Sequence, residues 1–225
     1  MKLAILLLIG LNSNVNAQQQ INLLNAFQHY KIQASDDYSK LLFLIHEDQK
    51  QSLLEEAYLN KWEEAFLVVN EQEIYSIKAR YHIFNDAFYV LFKGKSKVIY
   101  PHLIQGIVFK DRVFVSRKEM LDSGLKDGYY EVLSSGKKEL LQKYSYRYKL
   151  NAKGNVKLGA RQKDIYIQNS QGLVYKIDLT PKQIFDTFGE NQSLARTYAK
   201  KNGLTLSKVA DLKNLFEYYN RALMK

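Results

Sequence analysis

The 225-residue sequence contains no cysteine. Thiol catalysis, zinc–thiolate sites and iron–sulfur clusters are therefore excluded, and disulfides cannot stabilise the fold. Only two prolines are present, whereas tyrosine occurs 17 times, and this balance favours long, regular β-strands. The sequence also lacks an HExxH zinc motif, a GxSxG nucleophile elbow and a complete phosphate-binding loop, so it predicts no catalytic residue, no metal site and no cofactor.

Long apolar runs are also absent. Leu3–Leu11 is an unbroken run of nine apolar residues or glycine, whereas a membrane-spanning helix needs about 20 residues. The run follows the single charge of Lys2 and precedes the small-residue pattern Val15–Ala17, which is the order of a secretory signal peptide. We therefore predict a signal peptide over residues 1–17, cleaved between Ala17 and Gln18, and no transmembrane segment after its removal. The expected location is periplasmic or outer-membrane-associated, with secretion as a further option.

Charge is unevenly distributed along the chain, whose net charge is +10. Residues 137–163 include nine basic residues and one acidic residue, whereas residues 47–73 include eight acidic residues and two lysines. Such polarity suits a protein with an anionic partner on one face. The alternative is that these charges are simply solvated surface residues.

One local pattern stands out within the basic segment. Residues 143–149 alternate strictly between tyrosines and polar or basic residues, so a β-strand would place Lys143, Arg147 and Lys149 on one face. We interpret these three cations as an anion-binding strip for lipid headgroups or an acidic glycan. The alternative is a half-buried strand, with its tyrosines at the edge of the core and its cations in water.

The composition changes twice along the remaining chain. Residues 18–63 form an N-terminal segment with a partly helical pattern. Residues 64–178 are rich in β-branched and aromatic residues separated by turn signals, and residues 179–225 are helical. Strands followed by helices are typical of an α+β fold. We predict an antiparallel β meander of hairpins, curled or barrel-like, with three C-terminal helices packed on the β region.

Turn and cap signals predict finer features. Ser135-Gly136 and Asn169–Gly172 each predict a hairpin turn, and Asn151–Ala160, which has no aromatic residue, predicts an exposed loop. Thr180-Pro181 predicts an N-cap and the first residue of a helix, and Ser207 predicts the cap of the last helix.

Several short motifs carry a resemblance to other proteins. They are Tyr58–Trp62, Lys78–Phe84, Gly128–Leu133, Asp164–Ile167, Lys176-Ile177, Tyr198–Leu204, Asp211-Leu212 and Tyr218–Asn220. From Tyr58 onward the chain resembles a set of uncharacterised exported proteins of Gram-negative bacteria that have signal peptides and no established activity. The resemblance implies export and a shared fold, and it supplies no catalytic residue, cofactor or ligand.

These observations predict an exported, non-catalytic binding or structural protein of unknown ligand. One alternative is a peripheral protein that binds anionic glycan or lipid headgroups through residues 137–163. A second alternative is a hydrolase or lyase whose site combines scattered carboxylates and tyrosines. The expected partner is an anionic surface or another envelope protein, and nucleic acid is not expected for an exported chain.

Overall fold

The computed structural model describes residues 41–47, 55–70, 73–150, 156–169 and 171–223. The predicted signal peptide, its cleavage site at Ala17 and Gln18, and most of the predicted N-terminal segment lie outside these residues. Within the segment 18–63, the described residues include one short helical turn, α1 (Leu41–Leu44), a two-residue strand at His46–Glu47 and a 3₁₀ turn at Glu55–Ala57.

Eleven β-strands in the described part of the chain form one hydrogen-bonded sheet, in the order β1-β5-β4-β3-β2-β6-β7-β11-β10-β9-β8. The strands are β1 (His46–Glu47), β2 (Glu63–Val68), β3 (Ile74–His82), β4 (Ala87–Phe92), β5 (Lys95–Ile99), β6 (Gly106–Val108), β7 (Val113–Leu121), β8 (Gly124–Ser134), β9 (Leu140–Leu150), β10 (Val156–Gln168) and β11 (Leu173–Ile177). Because β8 also pairs with β7, the last five strands close into a barrel. We call β1–β6 the N-terminal sheet and β7–β11 the barrel.

Strand β7 belongs to both parts. Its first residues, Val113–Val115, pair with β6, and Lys118 and Glu119 pair with β11, while β8 runs along its other edge. The β11–β7 pair is parallel, so the prediction of a purely antiparallel β region is wrong at this point. A parallel pairing of two residues closes the barrel. No local turn signal could predict this pairing, because the two strands are distant in sequence.

The main core lies between the N-terminal sheet and the outer face of the barrel. Alternate residues of β3 face this core, because successive side chains of a strand point to opposite faces. Phe114, Tyr129 and Tyr144 reach the core from the barrel, and Phe88 packs edge-to-face on Tyr129 with ring centroids 4.7 Å apart. Full burial of one such side chain stabilises the fold by about 1.5–3 kcal/mol, so these aromatic residues hold the two parts together.

The interior of the barrel is filled by side chains. Val115, Tyr130, Leu141, Tyr166 and Val174 form a buried cluster there, as expected for a barrel of so few strands. The cluster occupies the half of the barrel in which β8 and β9 are paired, at Glu131–Ser134 and Leu140–Gln142.

Three C-terminal helices follow the barrel, as predicted: α2 (Pro181–Asp186), α3 (Gln192–Lys201) and α4 (Val209–Ala222). The Thr180 hydroxyl accepts a hydrogen bond from the Gln183 amide at 3.3 Å, which confirms the predicted cap. Helix α4 begins at Val209, and its N-cap position is Lys208 rather than Ser207. Among the described residues, no helix is long and apolar enough to cross a membrane.

The helices cover the face of β9–β11 that points away from the barrel interior. Leu140, Ile165 and Ile177 share a second core with the buried faces of α2–α4. Asn220 of α4 also stabilises the β8–β9 connection. Its side chain accepts a hydrogen bond from the Lys138 amide at 2.9 Å and donates one to the Lys138 carbonyl at 2.9 Å. Gly136 has φ +143°, and a Cβ at this position would clash with the Asn220 side chain. The predicted turn at Ser135-Gly136 is therefore part of a longer loop between β8 and β9, and this loop packs against α4.

One predicted loop is wrong in part. Residues 156–160, which we predicted to lie in the exposed loop Asn151–Ala160, form the first residues of β10, and residues 151–155 lie outside the described part of the chain. The pairing with β9 continues through an irregularity between Leu158 and Arg161. The start of β10 was not predicted because small residues such as Gly159 and Ala160 interrupt the alternation of apolar and polar side chains by which strands are identified.

Candidate functional site

A charged cluster lies at the end of the barrel where β8 and β9 separate. The turn between β3 and β4 enters this gap and places Asp86 in it, with the left-handed φ of 47° that aspartate tolerates better than most residues. One carboxylate oxygen of Asp86 accepts from the Tyr81 hydroxyl at 2.7 Å and from the Tyr129 amide at 3.1 Å. The carboxylate therefore binds a β8 amide at a level where no β8–β9 pairing occurs.

Lys143 of β9 links Asp86 to a second carboxylate. Its Nζ lies 3.3 Å from Asp86 Oδ2 and 3.3 Å from Glu119 Oε2, and it is 3.2 Å from the Tyr130 hydroxyl. The side chains of Lys143, Asp86 and Glu119 are 15%, 17% and 11% exposed. Gly128 makes room for them, because a Cβ there would lie 2.6 Å from Lys143 Nζ and 3.0 Å from Asp86 Oδ2.

Two tyrosines complete this group, which we call the barrel-mouth cluster: Asp86, Glu119, Tyr130, Lys143 and Tyr166. The Tyr130 hydroxyl donates to Glu119 at 2.8 Å. Burial disfavours ionisation of Glu119, but the hydrogen bond from Tyr130 and the charge of Lys143 outweigh it and hold its pKa below the usual value. Burial, reinforced by the Glu119 carboxylate, raises the pKa of both Tyr130 and Tyr166.

These pKa shifts bear on what the barrel-mouth cluster can do chemically. General acid–base catalysis works best when a group has a pKa near the working pH. Here the carboxylate of Glu119 stays ionised and the hydroxyls of Tyr130 and Tyr166 stay protonated, because each pKa moves away from neutrality. The cluster does bring carboxylates and tyrosines together, as the hydrolase or lyase alternative required, but this protonation pattern favours a structural role.

The sequence analysis missed this cluster. Its members come from four strands and one turn, and only Lys143 had been selected, for a different reason. Glu119 gave only a weak signal, because the apolar Met120 and Leu121 follow it but Arg117 and Lys118 precede it. Its partners could not have been found without the pairing of the strands.

A second buried group surrounds His82 in the N-terminal sheet. The Arg80 guanidinium lies 3.5 Å from the centroid of the Tyr58 ring and 4.5 Å from that of Trp62, and it pairs with Glu55 at 2.9 Å. Burial, with a smaller contribution from Arg80, lowers the pKa of His82 to about 4. The Asn85 amide donates to Nδ1 of His82 at 3.1 Å, so the neutral ring has its proton on Nε2, which has no partner among the described residues.

The predicted strip of Lys143, Arg147 and Lys149 requires correction. Lys143 does not belong to an exposed surface, because it turns into the barrel mouth and pairs with two carboxylates. Arg147 is exposed, and the side chain of Lys149 is outside the described set. The alternation of the strand was identified correctly, with Tyr144 buried on the opposite face. The prediction did not anticipate that the β3–β4 turn covers this face of β9 at Lys143.

Two further exposed cations lie in the same two-stranded β9–β10 ribbon as Arg147. Arg161 and Lys163 of β10 are exposed, and they lie opposite Tyr146 and Tyr144 of β9. Arg161 donates to the Tyr58 carbonyl at 3.3 Å, and Lys163 Nζ lies 5.7 Å from the centroid of the Tyr144 ring. Arg147 lies on the opposite face of the same two-stranded ribbon. We call Arg147, Arg161 and Lys163 the basic ribbon.

The basic ribbon differs from the barrel-mouth cluster in its charge balance. In the described part of the chain, none of its three cations forms an ion pair with a carboxylate. The neighbouring Asp164 is paired with Lys176, at 2.8 Å. Both faces of the ribbon therefore carry exposed positive charge that has no carboxylate partner among the described residues.

The described residues were compared with two other kinds of site, a metal site and a surface depression, by their side chains alone. Within the described residues, no group of three or more histidine, aspartate or glutamate side chains is arranged to hold a metal ion. A shallow depression between β2, β6 and β7 is lined mainly by apolar residues, with Gln105 and Ser135 as its polar lining. No residue of this lining is charged.

Comparison of the chain with protein-family models, curated proteins and solved structures found no significant match. The resemblance to exported Gram-negative proteins therefore stays a prediction.

Proposed function

We propose that this protein is an exported, non-catalytic binding protein that acts at an anionic surface of the cell envelope. The observation that carries the proposal is the basic ribbon, whose three exposed cations lack carboxylate partners among the described residues. The charges of the barrel-mouth cluster are compensated, whereas the three cations on the two faces of the ribbon remain available to a partner. Such a surface attracts anionic headgroups or acidic glycans over several ångströms.

The distribution of charge in the sequence supports this surface as the binding face. Residues 137–163 include nine basic residues and one acidic residue. The ribbon cations Arg147, Arg161 and Lys163 all belong to this segment, as does the exposed Lys137. In the barrel-mouth cluster, the ionised Glu119 and the neutral Tyr130 and Tyr166 are poorly matched to acid–base catalysis, which supports a non-catalytic protein.

The test uses the triple variant Arg147→Gln, Arg161→Gln and Lys163→Gln. Vesicles containing phosphatidylglycerol and a soluble acidic polysaccharide serve as two anionic probes, and vesicles of phosphatidylcholine serve as the neutral probe. Each cation near an anionic surface contributes about 1 kcal/mol, so removing three should weaken binding roughly 100-fold. Binding should also weaken with salt, since the Debye length falls from about 10 Å at 0.1 M to about 3 Å at 1 M.

A matched control removes three exposed lysines from the helical side, Lys200→Gln, Lys201→Gln and Lys208→Gln. It has the same net charge as the ribbon variant, so equal loss of binding in both would attribute the effect to total charge and overturn the ribbon as the site. Failure of the wild-type protein to bind either anionic probe at low salt would overturn the proposed function. Export is checked separately by mass spectrometry, which should find a mature N-terminus at Gln18 in the exported fraction.

A further inference from the structure

An apolar hairpin tip projects from the barrel. Met120, Leu121 and Leu125 are 57%, 38% and 58% exposed, and they are half of the large exposed hydrophobic side chains in the described residues. Met120 and Leu125 face each other across the β7–β8 hairpin, and Leu121 faces Gly124 at its turn. Three large apolar side chains on one protruding turn mark an interaction site more strongly than scattered exposed residues do.

The hairpin tip and the basic ribbon lie at the same end of the barrel. Strands β7 and β9 both pair antiparallel with β8, so they run in the same direction. The β7–β8 turn and the distal ends of β9 and β10 therefore point the same way. Lys118 and Lys126, both exposed, also flank the apolar tip, and the turn itself contains the exposed Asp122, with Asp127 following Lys126. This end of the molecule thus combines a small apolar projection with a surplus of positive charge.

Charge and area together decide what fits this end of the barrel. A stable protein–protein interface buries roughly 800 Å² on each partner, and a turn with three apolar side chains is too small to supply most of it. Insertion into a lipid bilayer needs only that the tip enter the boundary between headgroups and acyl chains. The surrounding cations are complementary to anionic headgroups. A bilayer with anionic lipids matches both the size and the charge.

We propose that the β7–β8 hairpin inserts Met120, Leu121 and Leu125 into an anionic lipid bilayer, while the basic ribbon contacts the headgroups. This inference rests on the proposed function and names its surface as lipid. Cations alone would hold the protein at the surface reversibly. The apolar tip adds a contact that high salt does not screen, because burial of apolar side chains does not depend on charge.

The direct test places a tryptophan at the tip, in the variant Leu125→Trp. On phosphatidylglycerol vesicles its emission should shift to shorter wavelength, and lipids brominated on the acyl chain should quench it. The matched control is Leu91→Trp in β4 of the N-terminal sheet, where Leu91 is 37% exposed. The control should show neither change beyond the background of the native Trp62.

A second variant measures the contribution of the tip to affinity. Met120→Gln with Leu125→Gln should weaken binding to phosphatidylglycerol vesicles roughly 10- to 100-fold and leave a larger salt-dependent fraction. Leu91→Gln should bind as the wild type does. Both substituted side chains are exposed, so the unfolding midpoint should change little, and it is measured as a check on folding.

The outcomes separate this inference from the proposed function. Insertion would be overturned if Leu125→Trp bound vesicles with no shift in tryptophan emission and no quenching, and the double Gln variant bound as tightly as the wild type. The ribbon would then remain as the binding site. Binding to the acidic polysaccharide but to no vesicle would likewise overturn it. Binding of the wild type to neither probe would overturn both proposals. Blue shift and quenching confined to anionic vesicles would support insertion.

Discussion

Lys143 and Arg147 lie four residues apart on the same strand and on the same face of β9, yet they have opposite surroundings. Lys143 is 15% exposed and lies between the carboxylates of Asp86 and Glu119. Arg147 is exposed and has no carboxylate partner among the described residues. The difference arises because the β3–β4 turn covers only the first of these positions. One cation therefore contributes to the fold, and the other remains for a partner.

The two positions should respond differently to substitution. A buried charge that loses its partner pays the full cost of desolvation, whereas an exposed charge is solvated by water whether or not a partner is present. The barrel-mouth cluster should therefore affect stability, and the basic ribbon should affect binding. Of the following three predictions, given from the largest expected effect to the smallest, the first and third test this division, and the second tests a buried titratable group in the N-terminal sheet.

Lys143→Met should destabilise the fold by about 3–5 kcal/mol, because it leaves two buried carboxylates facing each other without a cation. Urea unfolding measures the change. A second substitution, Glu119→Gln, should recover part of the loss in the Lys143→Met background, since it removes one of the two unpaired charges. A single Lys143→Met variant that costs no more than Arg147→Gln would contradict the assignment of Lys143 to the buried cluster.

His82 should make stability depend on pH. Burial lowers its pKa from the usual 6.5 to about 4, so between these values the unfolded chain binds a proton that the folded chain does not. Stability should therefore fall as pH falls from 6.5 to 4, by up to about 3 kcal/mol. His82→Asn removes this titration. The measurement is the slope of unfolding free energy against pH, which should be flatter in the variant over this window.

The slope is compared rather than the absolute stability, because Asn also loses the ring packing on Tyr58. The packing loss is the same at every pH and does not change the slope. Parallel pH profiles for His82→Asn and the wild type would show that His82 does not control this part of the acid response.

Arg147→Gln should change the free energy of unfolding by less than about 0.5 kcal/mol, as is usual for exposed side chains. Arg117→Gln is the matched contrast, because Arg117 pairs at 3.0 Å with the fully buried Glu139. Thermal unfolding of both variants should show a clear loss for Arg117→Gln and almost none for Arg147→Gln. Equal losses would mean that Arg147 has a structural role and weaken its assignment to a binding surface.

Local signals predicted much of the fold. The cap at Thr180 and the three C-terminal helices were predicted because N-caps and helical periodicity depend on neighbouring residues only. The strand-rich region was predicted for the same reason, since alternation along a strand is visible in the sequence. The start of β10 was missed because Gly159 and Ala160 break that pattern.

The candidate site was predicted less well. Arg147 was selected and is exposed, but Arg161 and Lys163 were not chosen, because a cation on a strand has no sequence mark that distinguishes a solvated face from a binding face. The apolar tip at Met120 and Leu125 was also missed. Apolar residues near a turn are normally buried by a neighbouring element, and only the packed structure reveals that no described element covers them.

The sequence by itself determined the order of strands and helices, the exclusion of thiol chemistry and the alternation of β9, because each depends on composition or on adjacent residues. Tertiary structure alone decided that β11 pairs in parallel with β7, that Asp86 enters the gap between β8 and β9, and that Lys143 is buried. These features join residues far apart in the chain. Whether a side chain on a strand is buried or exposed depends on what packs against it, and that is set by the whole fold.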